Sequence, residues 1–457
     1  MKKLFKFMAI AAIAVFATAC FEEPEPEPGP GPDPGPGPDP GPTPVAIFGI
    51  NVQLKSEGAN FAVEGIKVTL TDDAGIASYD ATTDANGSVT YQVPAGTYSA
   101  SATYKTAEDG KRIAFNGANN NIAVAEGSTS FTLDLKKVVS QQIIIKELYF
   151  GGCQKNDASG AYRDDAYVIL YNNSEYEADA TDIVFSLIMP SNAHAANKYI
   201  TDGKLMYEDL GWIPAYSAIW WFTSEVKIPA YSQIVIAIFG AIDHTQTVTA
   251  SVDLSKPEYF WMSNTEIMTV FKNAKYKTSE AIPTNHYMTT FPVSAGNAWV
   301  LSVNSPGLYI GKMPKAEADA LSQDKDNYDK TATLTVAKFP QDKVVDAVEV
   351  FDAGNLAKSL FRFPSSINTG YVAHTGDQGH SVYRNVDKEA TEALPENAGK
   401  LVYMYAMGTY NVLNGTGSTD ESGIDAEASM ANGAHIIYSD TNDSGKDFHQ
   451  RVQASLK

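Results

Sequence analysis

Two short segments of the chain carry residues of the types that bind metal ions. His374 and His380 lie six residues apart with Asp377 between them, and imidazole and carboxylate groups are ligands for zinc and related ions. However, the glycines between these residues also favour a polar turn. The segment from Asp440 to Gly445 places oxygen-bearing side chains at alternate positions, like the first half of a calcium loop, but Arg451 stands where the bidentate glutamate belongs. We therefore interpret both segments as turns and predict no metal ion and no cofactor.

Carboxylates and one thiol are the remaining groups that could take part in catalysis. Asp164-Asp165 and Asp179 with Asp182 could form a glycosidase pair, which needs two carboxylates about 5–10 Å apart in a cleft. Acidic residues are so frequent in this chain that such neighbours are expected without any function. Cys153 follows two glycines but has no histidine placed beside it, so a buried and unreactive thiol is the simpler interpretation.

The sequence contains none of the common catalytic signatures. A G-x-S-x-G elbow, an H-E-x-x-H helix, a Walker loop and a C-x-x-C pair are all missing. We therefore predict that the protein is not an enzyme, with a glycan-active hydrolase as the less favoured alternative.

Aromatic residues are concentrated in two segments, near residues 216–231 and 259–261. Faces of Trp and Tyr stack on sugar rings or fill pockets of a partner protein. On an extended strand Trp220 and Trp221 point to opposite sides, so a strand with one wet face can bury only one of them. The candidate residues for ligand or partner binding are Trp220, Trp221, Tyr259 and Trp261, with a place in the hydrophobic core as the alternative.

The amino terminus has the organisation of a lipoprotein signal. Basic residues precede an apolar run from Phe7 to Ala17, which is shorter than the roughly 20 residues that span a bilayer, and small residues then lead to Cys20. We predict a signal peptide over 1–19 and a diacylglycerol anchor on Cys20. The following Phe21-Glu22-Glu23 resembles the acidic tag that directs Bacteroidetes-type lipoproteins to the outer face of the outer membrane. This resemblance implies a lipid-anchored, cell-surface location.

Residues 20–44 differ in composition from the rest of the chain. Every even-numbered residue from Pro24 to Pro44 is proline, a pattern that favours polyproline II and excludes a packed core. We interpret this segment as a stalk, with a disordered tail as the alternative. Beyond it, only Cys153 remains as a second cysteine, so the folded part has no intramolecular disulfide once Cys20 is acylated.

Net charge limits the possible partners. The formal charge of −20 becomes about −23 when three lysines leave with the signal, and such a surface repels nucleic acid. Hydrophobic residues make up 44% of the chain, enough for the cores of two domains.

Apolar and polar residues alternate in short runs along the rest of the chain, which predicts an all-β fold. In the first part the runs begin at Phe48, Ile66, Ser88, Thr97 and Thr129. In the second part strands are predicted at 143–150, 165–173, 183–189, 234–239, 298–303, 332–337, 344–351 and 381–384, with one short helix at 315–321. We predict a small antiparallel β-sandwich of the prealbumin or immunoglobulin type over 45–138, followed by a larger β-sandwich with long insertions over 139–457.

Both parts resemble known modules. The run from Gly65 to Ala102, with its turn at Asp84-Ala-Asn86-Gly87, is similar to the carboxypeptidase-regulatory-like module, which implies a structural spacer without catalytic residues. The segments IIIKELYFGG, DKVVDAVEVFD and GHSVYRN, together with the end DTNDSGKDFHQRVQASLK, resemble a lamin-tail-like domain. The combination resembles a Bacteroidetes surface lipoprotein family of unknown function. Segments 190–230, 243–292 and 400–435 are predicted insertions, where binding residues would lie.

These features lead to one functional hypothesis and one alternative. We expect a non-catalytic binding or accessory subunit of a TonB-dependent outer-membrane uptake system, with a TonB-dependent transporter or other surface lipoproteins as its partners. The alternative is a structural or adhesive surface module.

Overall fold

In the computed structural model of the protein, residues 46–56, 63–72, 77–108, 111–127, 129–201, 204–293, 298–299, 301–329, 335–410 and 417–457 are described. The predicted signal peptide, the lipidation site Cys20 and the proline-rich stalk lie outside these residues. From Ala46 to Lys457 the chain forms one compact unit. Its fold is all-β, as predicted, and its sheets are described below in chain order.

The first seven strands form one continuous hydrogen-bonded sheet that folds into a sandwich. They are β1 (Ile47–Ser56), β2 (Lys67–Asp72), β3 (Ser78–Thr82), β4 (Ser88–Pro94), β5 (Gly96–Glu108), β6 (Lys111–Val124) and β7 (Thr129–Val139), paired in the order β3-β2-β5-β6-β7-β1-β4. Alternate residues of β1 and β4 are buried, as the period-two pattern predicts, and they share one core with residues of β2, β5 and β7. The predicted turn is present, because Oδ1 of Asp84 accepts hydrogen bonds from the amides of Asn86 and Ser88.

One strand pair differs from the predicted antiparallel arrangement. β1 and β7 are parallel, with Ile50 opposite Thr129 and Ser56 opposite Leu135. The pattern of single strands carries no information about the direction of their neighbours, so this feature was not accessible from the sequence.

The remaining strands are mostly short. They are β8 (Ile143–Tyr149), β9 (Cys153–Gln154), β10 (Ala161–Tyr162), β11 (Tyr167–Asn172), β12 (Ala178–Asp179), β13 (Ile183–Ile188), β14 (Ile200–Thr201), β15 (Lys204–Leu205), β16 (Trp212–Phe222), β17 (Lys227–Ile228), β18 (Gln233–Ala237), β19 (Gly240–Ala241), β20 (Phe260–Trp261), β21 (Lys277–Thr278), β22 (Met288–Pro292), β23 (Gly307–Lys312), β24 (Tyr328–Asp329), β25 (Val336–Pro340), β26 (Val344–Asp352), β27 (Val372–His374), β28 (Ser381–Arg384), β29 (Thr409–Tyr410), β30 (Gly417–Ser418) and β31 (Phe448–Arg451). The helices are α1 (Thr265–Val270), α2 (Lys315–Gln323), α3 (Lys388–Glu392), α4 (Ala426–Ala431) and α5 (Ser444–Asp447). Single 3-10 turns occupy His244–Gln246, Thr284–His286, Lys325–Asn327, Gln341–Lys343, Leu356–Lys358 and Pro395–Asn397.

Two large sheets form the second part of the unit. One has the order β20-β18-β11-β8-β28-β31, and the other has the order β24-β25-β16-β13-β23-β26-β27 with β22 also paired to β16. The largest core lies between them and contains residues of both, for example Ile169 and Phe185. Segments outside the sheets cover the opposite faces, so that β8, β11 and β13 are buried on both sides. This double burial explains the nearly continuous apolar sequences of β11 and β13.

Most predicted strands are confirmed, and the predicted helix is present as α2. The prediction at 298–303 is wrong for the described residues there, which are not in a strand, and β25 begins only at Val336. β16 lies inside the predicted insertion 190–230 but is an inner strand of the second sheet. That segment therefore belongs in part to the scaffold.

Candidate functional site

A cleft of about 630 Å³ lies where the first sandwich meets the C-terminal part of the chain. The outer face of β2 and β5 forms one wall, and segments near β27, β28 and α5 form the other. Residues of both walls are Lys67, Thr69, Thr71, Ser99, Ala100, Ser101, Thr103, Lys105, Ala118, Phe361, Gly370, Tyr371, Val372, Ala373, Asn385, Val386, Thr419, Asp420, Glu421, Ser422, Ser439, Thr441, Asp443, Gly445, Lys446 and Phe448. Its volume is typical of clefts that hold small ligands.

The wall formed by the first sandwich is lined by hydroxyl groups. In β5 the sequence Ser99-Ala-Ser101-Ala-Thr103 turns the alanines into the sandwich core and the hydroxyls outward. In β2 the same alternation turns Thr69 and Thr71 outward, while their neighbours Val68 and Leu70 are fully buried.

Strand pairing arranges these hydroxyls in two rows. Thr69 lies opposite Ser101, and Thr71 lies opposite Ser99. Side chains of directly opposite residues are about 5 Å apart, and successive outward positions along a strand are about 7 Å apart. The wall therefore presents regularly spaced donors and acceptors.

Some of the hydroxyls are already engaged. Thr69 donates a hydrogen bond to Asp80 at 2.7 Å, and Thr103 donates one to Asn116 at 2.7 Å. Within the part of the chain that the structure describes, the hydroxyls of Ser99 and Ser101 make no side-chain hydrogen bond. These two groups are available to a ligand.

Each lysine of the cleft has an anionic or hydroxyl partner. The ammonium group of Lys67 lies 2.8 Å from Asp80, and that of Lys105 lies 3.1 Å from Asp387. Lys446 donates a hydrogen bond to Thr103 at 2.6 Å and lies 3.9 Å from Asp443.

Burial perturbs two acidic groups of the second wall. Desolvation raises the pKa of Asp443 to about 6 against the opposing effect of Lys446. Desolvation also raises the pKa of Asp420, whose carboxylate accepts hydrogen bonds from the backbone amides of Val386 and Ser422.

Aromatic side chains line another part of the second wall. Phe361 and Tyr371 are half-buried there, with ring centroids 6.0 Å apart. The buried ring of Phe351 stacks on that of Tyr371, with 4.2 Å between the ring centroids and an interplanar angle of 13°. The cleft thus combines hydroxyl groups on one side with partly exposed ring surface on the other.

Polar contacts hold the two walls together. Asn116 donates a hydrogen bond to Thr369 at 3.1 Å, and Lys136 donates one to Ser365 at 2.9 Å. Lys105 also contacts the hydroxyl of Ser439 at 3.0 Å. These contacts and the link from Lys446 to Thr103 place the hydroxyl face of β5 against the C-terminal segment.

The four aromatic residues predicted as binding residues lie elsewhere and are buried. Trp220 and Trp261 are fully buried in the large core, and the indole of Trp261 donates a hydrogen bond to the carbonyl of Phe239 at 2.8 Å. Trp221 lies in the core on the opposite face of its sheet, and Tyr259 is buried near His286. β16 is buried on both faces, so both neighbouring tryptophans occupy core positions. A binding role for these residues stays a prediction.

The residues considered for metal binding do not form a common site. Asp377 accepts hydrogen bonds from Arg163 at 2.6–2.8 Å, and His374 is buried against the ring of Phe150. Burial lowers the pKa of His374 to about 4. Over the described ranges, no three His, Cys, Asp or Glu side chains are arranged to hold a metal ion.

The loop from Asp440 to Gly445 is occupied by internal contacts. Asp440 accepts a hydrogen bond from the amide of Gln141 at 2.7 Å and faces the buried guanidinium of Arg384. Asp443 caps α5 by accepting from the amide of Gly445 at 2.9 Å. These carboxylate oxygens therefore form contacts within the protein that stabilise the loop.

The carboxylates considered for glycoside hydrolysis have separate partners. Asp164 pairs with Lys275 at 3.1 Å, Asp179 pairs with Lys227 at 2.7 Å, and Asp165 accepts from Ser251 in a buried cluster. Three of the four carboxylates that the sequence analysis considered thus have separate side-chain partners.

Cys153 lies beside the buried Asp165, with its sulfur 3.8 Å from Oδ2 of that carboxylate. Burial, assisted by this negative neighbour, raises the pKa of the thiol to about 11. This environment agrees with the predicted unreactive thiol.

Sequence reasoning did not find the cleft. The alternation of serine and alanine in β5 was visible, but an outward row of hydroxyls is also the normal appearance of a solvated face. The second wall comes from positions between 361 and 448 that have no common motif.

Among the described residues, no helix is long and apolar enough to cross a membrane.

The chain is similar to several solved structures and, in part, to one protein family. A structure of a DUF4876 family protein from Bacteroides thetaiotaomicron is 19% identical, with 88% of this chain and 94% of that chain covered and a TM-score of 0.49. A Pseudomonas aeruginosa protein proposed to bind carbohydrate is 22% identical over 20% of this chain and 89% of its own, with a TM-score of 0.17. A Bacteroides ovatus protein proposed as an adhesin is 15% identical over 32% of this chain and 54% of its own, also with a TM-score of 0.17.

No curated protein matches the chain. Residues 231–403 match the model of a family described as a protein of unknown function, DUF4876. This segment runs from just before β18 to beyond α3 and so contributes strands to both large sheets. The chain therefore contains a domain similar to the DUF4876 family, whose function is unknown.

Proposed function

We propose that this protein is a non-catalytic surface lipoprotein that binds a ligand in the cleft between its first sandwich and its C-terminal part. The observation that carries the proposal is the cleft itself, with its two free serine hydroxyls and its partly exposed aromatic rings. A concave site of this size with a few placed polar groups is the usual form of a ligand site.

The state of the lining groups supports binding rather than catalysis. Nucleophilic catalysis by a serine needs a base within hydrogen-bond reach, and the lining residues include no histidine. The three lysines hold their charges next to partners, and the carboxylate of Asp420 is fixed by backbone amides. Groups held in this way are suited to position a ligand.

The amino-terminal sequence supports a proposed location at the cell surface. A lipid on Cys20 and a proline-rich stalk would hold the cleft outside the outer membrane. We further propose that the protein is an accessory subunit that delivers its ligand to a TonB-dependent transporter. A surface binding protein without catalytic groups would then have a role in uptake.

The cleft is tested with the mature chain carrying Ser101→Trp, which fills the space in front of the hydroxyl wall. Thr132→Trp is the matched control, because Thr132 is exposed on β7 and does not line the cleft. The probe is an array of neutral oligosaccharides, anionic oligosaccharides and peptides. We expect the wild type and the control to bind at least one class, and Ser101→Trp to lose it while retaining its melting temperature. Absence of binding, or binding that Ser101→Trp leaves unchanged, would refute the role of the cleft.

The anchor and partner are tested in cells of the source organism. Cys20→Ser should move the protein from the membrane fraction to the soluble fraction. Affinity purification of the native lipoprotein from detergent-solubilised outer membranes should bring down a TonB-dependent transporter. Purification without a transporter, while the protein stays at the cell surface, favours the structural or adhesive module instead.

A further inference from the structure

We infer that the cleft binds a neutral oligosaccharide, an inference that rests on the proposed function and specifies its ligand. Three features of the cleft lead to this class of ligand: the spacing of its free hydroxyls, the compensation of its charges and the position of its aromatic rings.

The hydroxyl wall suits a ligand with repeated hydroxyl groups. Ser99 and Ser101 each offer one donor and two acceptor lone pairs, and they lie two positions apart on the same face of β5. Thr71 and Thr69 stand opposite them on β2. A sugar hydroxyl is also both donor and acceptor, so it can bond with such groups in either direction, whereas a carboxylate or a phosphate only accepts.

Charge compensation argues against an anionic ligand. Lys67 and Lys105 each form an ion pair with an aspartate, and the ammonium group of Lys446 is shared between Thr103 and Asp443. An anion would therefore share each of these cations with an aspartate that is already in place. A cationic ligand meets the same three lysines, and two of the three lining carboxylates, Asp420 and Asp443, already accept hydrogen bonds from backbone amides.

The aromatic surface suits the apolar face of a sugar ring. Phe361 and Tyr371 line the cleft from the C-terminal part, opposite the wall of β2 and β5. Phe351 stacks on Tyr371 and fixes its plane. A pyranose ring carries hydroxyls at its edge and C–H groups on its faces, which matches a cleft with hydroxyls on one wall and aromatic rings on the other.

The inference is tested by calorimetry with the mature chain and three soluble probes: neutral hexasaccharides of glucose, mannose and xylose, oligogalacturonate, and a peptide mixture. The double variant Ser99→Ala/Ser101→Ala removes the two free hydroxyls and leaves the backbone unchanged. The matched control is Ser130→Ala/Thr132→Ala on the exposed face of β7. We expect a neutral hexasaccharide to bind, with affinity about tenfold weaker in the double variant and unchanged in the control.

Salt separates the classes of ligand further. The affinity for a neutral sugar should not change between about 0.05 and 0.5 M NaCl, whereas that for oligogalacturonate should fall over this range. Binding of oligogalacturonate or peptide alone, blocked by Ser101→Trp, would overturn the inference and leave the binding function in place. Binding of a neutral sugar that the double variant does not weaken would also overturn it. If none of the probes bound, both the inference and the role of the cleft would be contradicted.

Discussion

Lys446 donates a hydrogen bond across the cleft to Oγ1 of Thr103, with 2.6 Å between the two atoms. The hydroxyl of Thr103 in turn donates a hydrogen bond to the side-chain oxygen of Asn116 at 2.7 Å. Partial burial lowers the pKa of Lys446 against the opposing effect of Asp443. The link joins α5 to β5 and so connects the two walls of the candidate site.

Thr103→Val should loosen this connection. Valine has nearly the same shape but no hydroxyl, so Lys446 and Asn116 each lose their hydrogen bond with Thr103. We expect a loss of about 1–3 kcal/mol in the free energy of unfolding, measured by urea denaturation. Thr132→Val, at an exposed site of β7, should change the stability little. Equal effects of the two variants would show that the link carries no stability.

The buried pair of Arg362 and Glu349 offers a second test. Both side chains are inaccessible to solvent, and the guanidinium of Arg362 also donates to the carbonyl of Pro190 at 2.8 Å. Arg362→Met leaves the carboxylate buried without a counterion and should cost about 3–5 kcal/mol. Arg362→Met combined with Glu349→Gln removes the charge and should recover most of this loss in the same denaturation experiment. No recovery would mean that packing rather than charge explains the effect.

The tryptophans of the large sheets provide a third prediction. Trp220→Ala, Trp221→Ala and Trp261→Ala each open a cavity in a packed core and should each lower the stability by about 3–5 kcal/mol. Tyr176→Ala removes an aromatic side chain that is 70% exposed and should have little effect on melting. A tryptophan variant that melts normally but binds its ligand less well would instead identify a binding residue.

The thiol of Cys153 should react slowly in the folded protein. Its pKa of about 11 leaves only about one thousandth of the thiol as thiolate at pH 8, and the reactive fraction rises with pH. Cys20→Ser makes Cys153 the single thiol, so labelling with iodoacetamide reports on this residue alone. We expect labelling at pH 8 to be complete only after unfolding in urea. Rapid labelling of the folded protein would contradict the buried position.

The first sandwich should fold without the rest of the chain. Among the described residues, its buried core contains only residues between Ile50 and Leu135, and hydrogen bonds and ion pairs connect it to the second part. Residues 45–138 should therefore give a soluble product with a single cooperative melting transition. A product without such a transition would show that the C-terminal part is needed for this core.

Sequence patterns predicted five strands of the first sandwich but not β3 and β6. β1 and β4 have one buried and one wetter face, so their sequences alternate. β13 is buried on both faces, and its sequence IVFSLI gives no information about which side chain meets which layer.

The sequence did not predict β16, because proline is rare within the inner strands of a sheet. It contains Pro214, which cannot donate to a neighbour, and Ser217 has a φ of +68°. The strand changes partner at this point: residues 212–216 pair with β25, and residues 218–222 pair with β22. A strand that is interrupted in the middle looks like a loop in the sequence.

The candidate site was beyond prediction because its parts meet only in the tertiary structure. The outward hydroxyls of β5 were visible, but nothing in the sequence indicates that Phe361, Tyr371 and Lys446 face them. By contrast, the buried thiol of Cys153 and the turn at Asp84 depend on local sequence, and the structure confirms both.

The parallel pairing of β1 and β7 determines how the first sandwich responds to mechanical force. Tension on the chain enters at the start of β1 and leaves at the end of β7, so it pulls the two strands past each other along their length. The bonds between Ile50–Ser56 and Thr129–Leu135 are then loaded together and in shear. An antiparallel hairpin pulled at its two ends would open one bond at a time. A pull between the segment before Ala46 and the large sheets would therefore be opposed by all of these bonds at once.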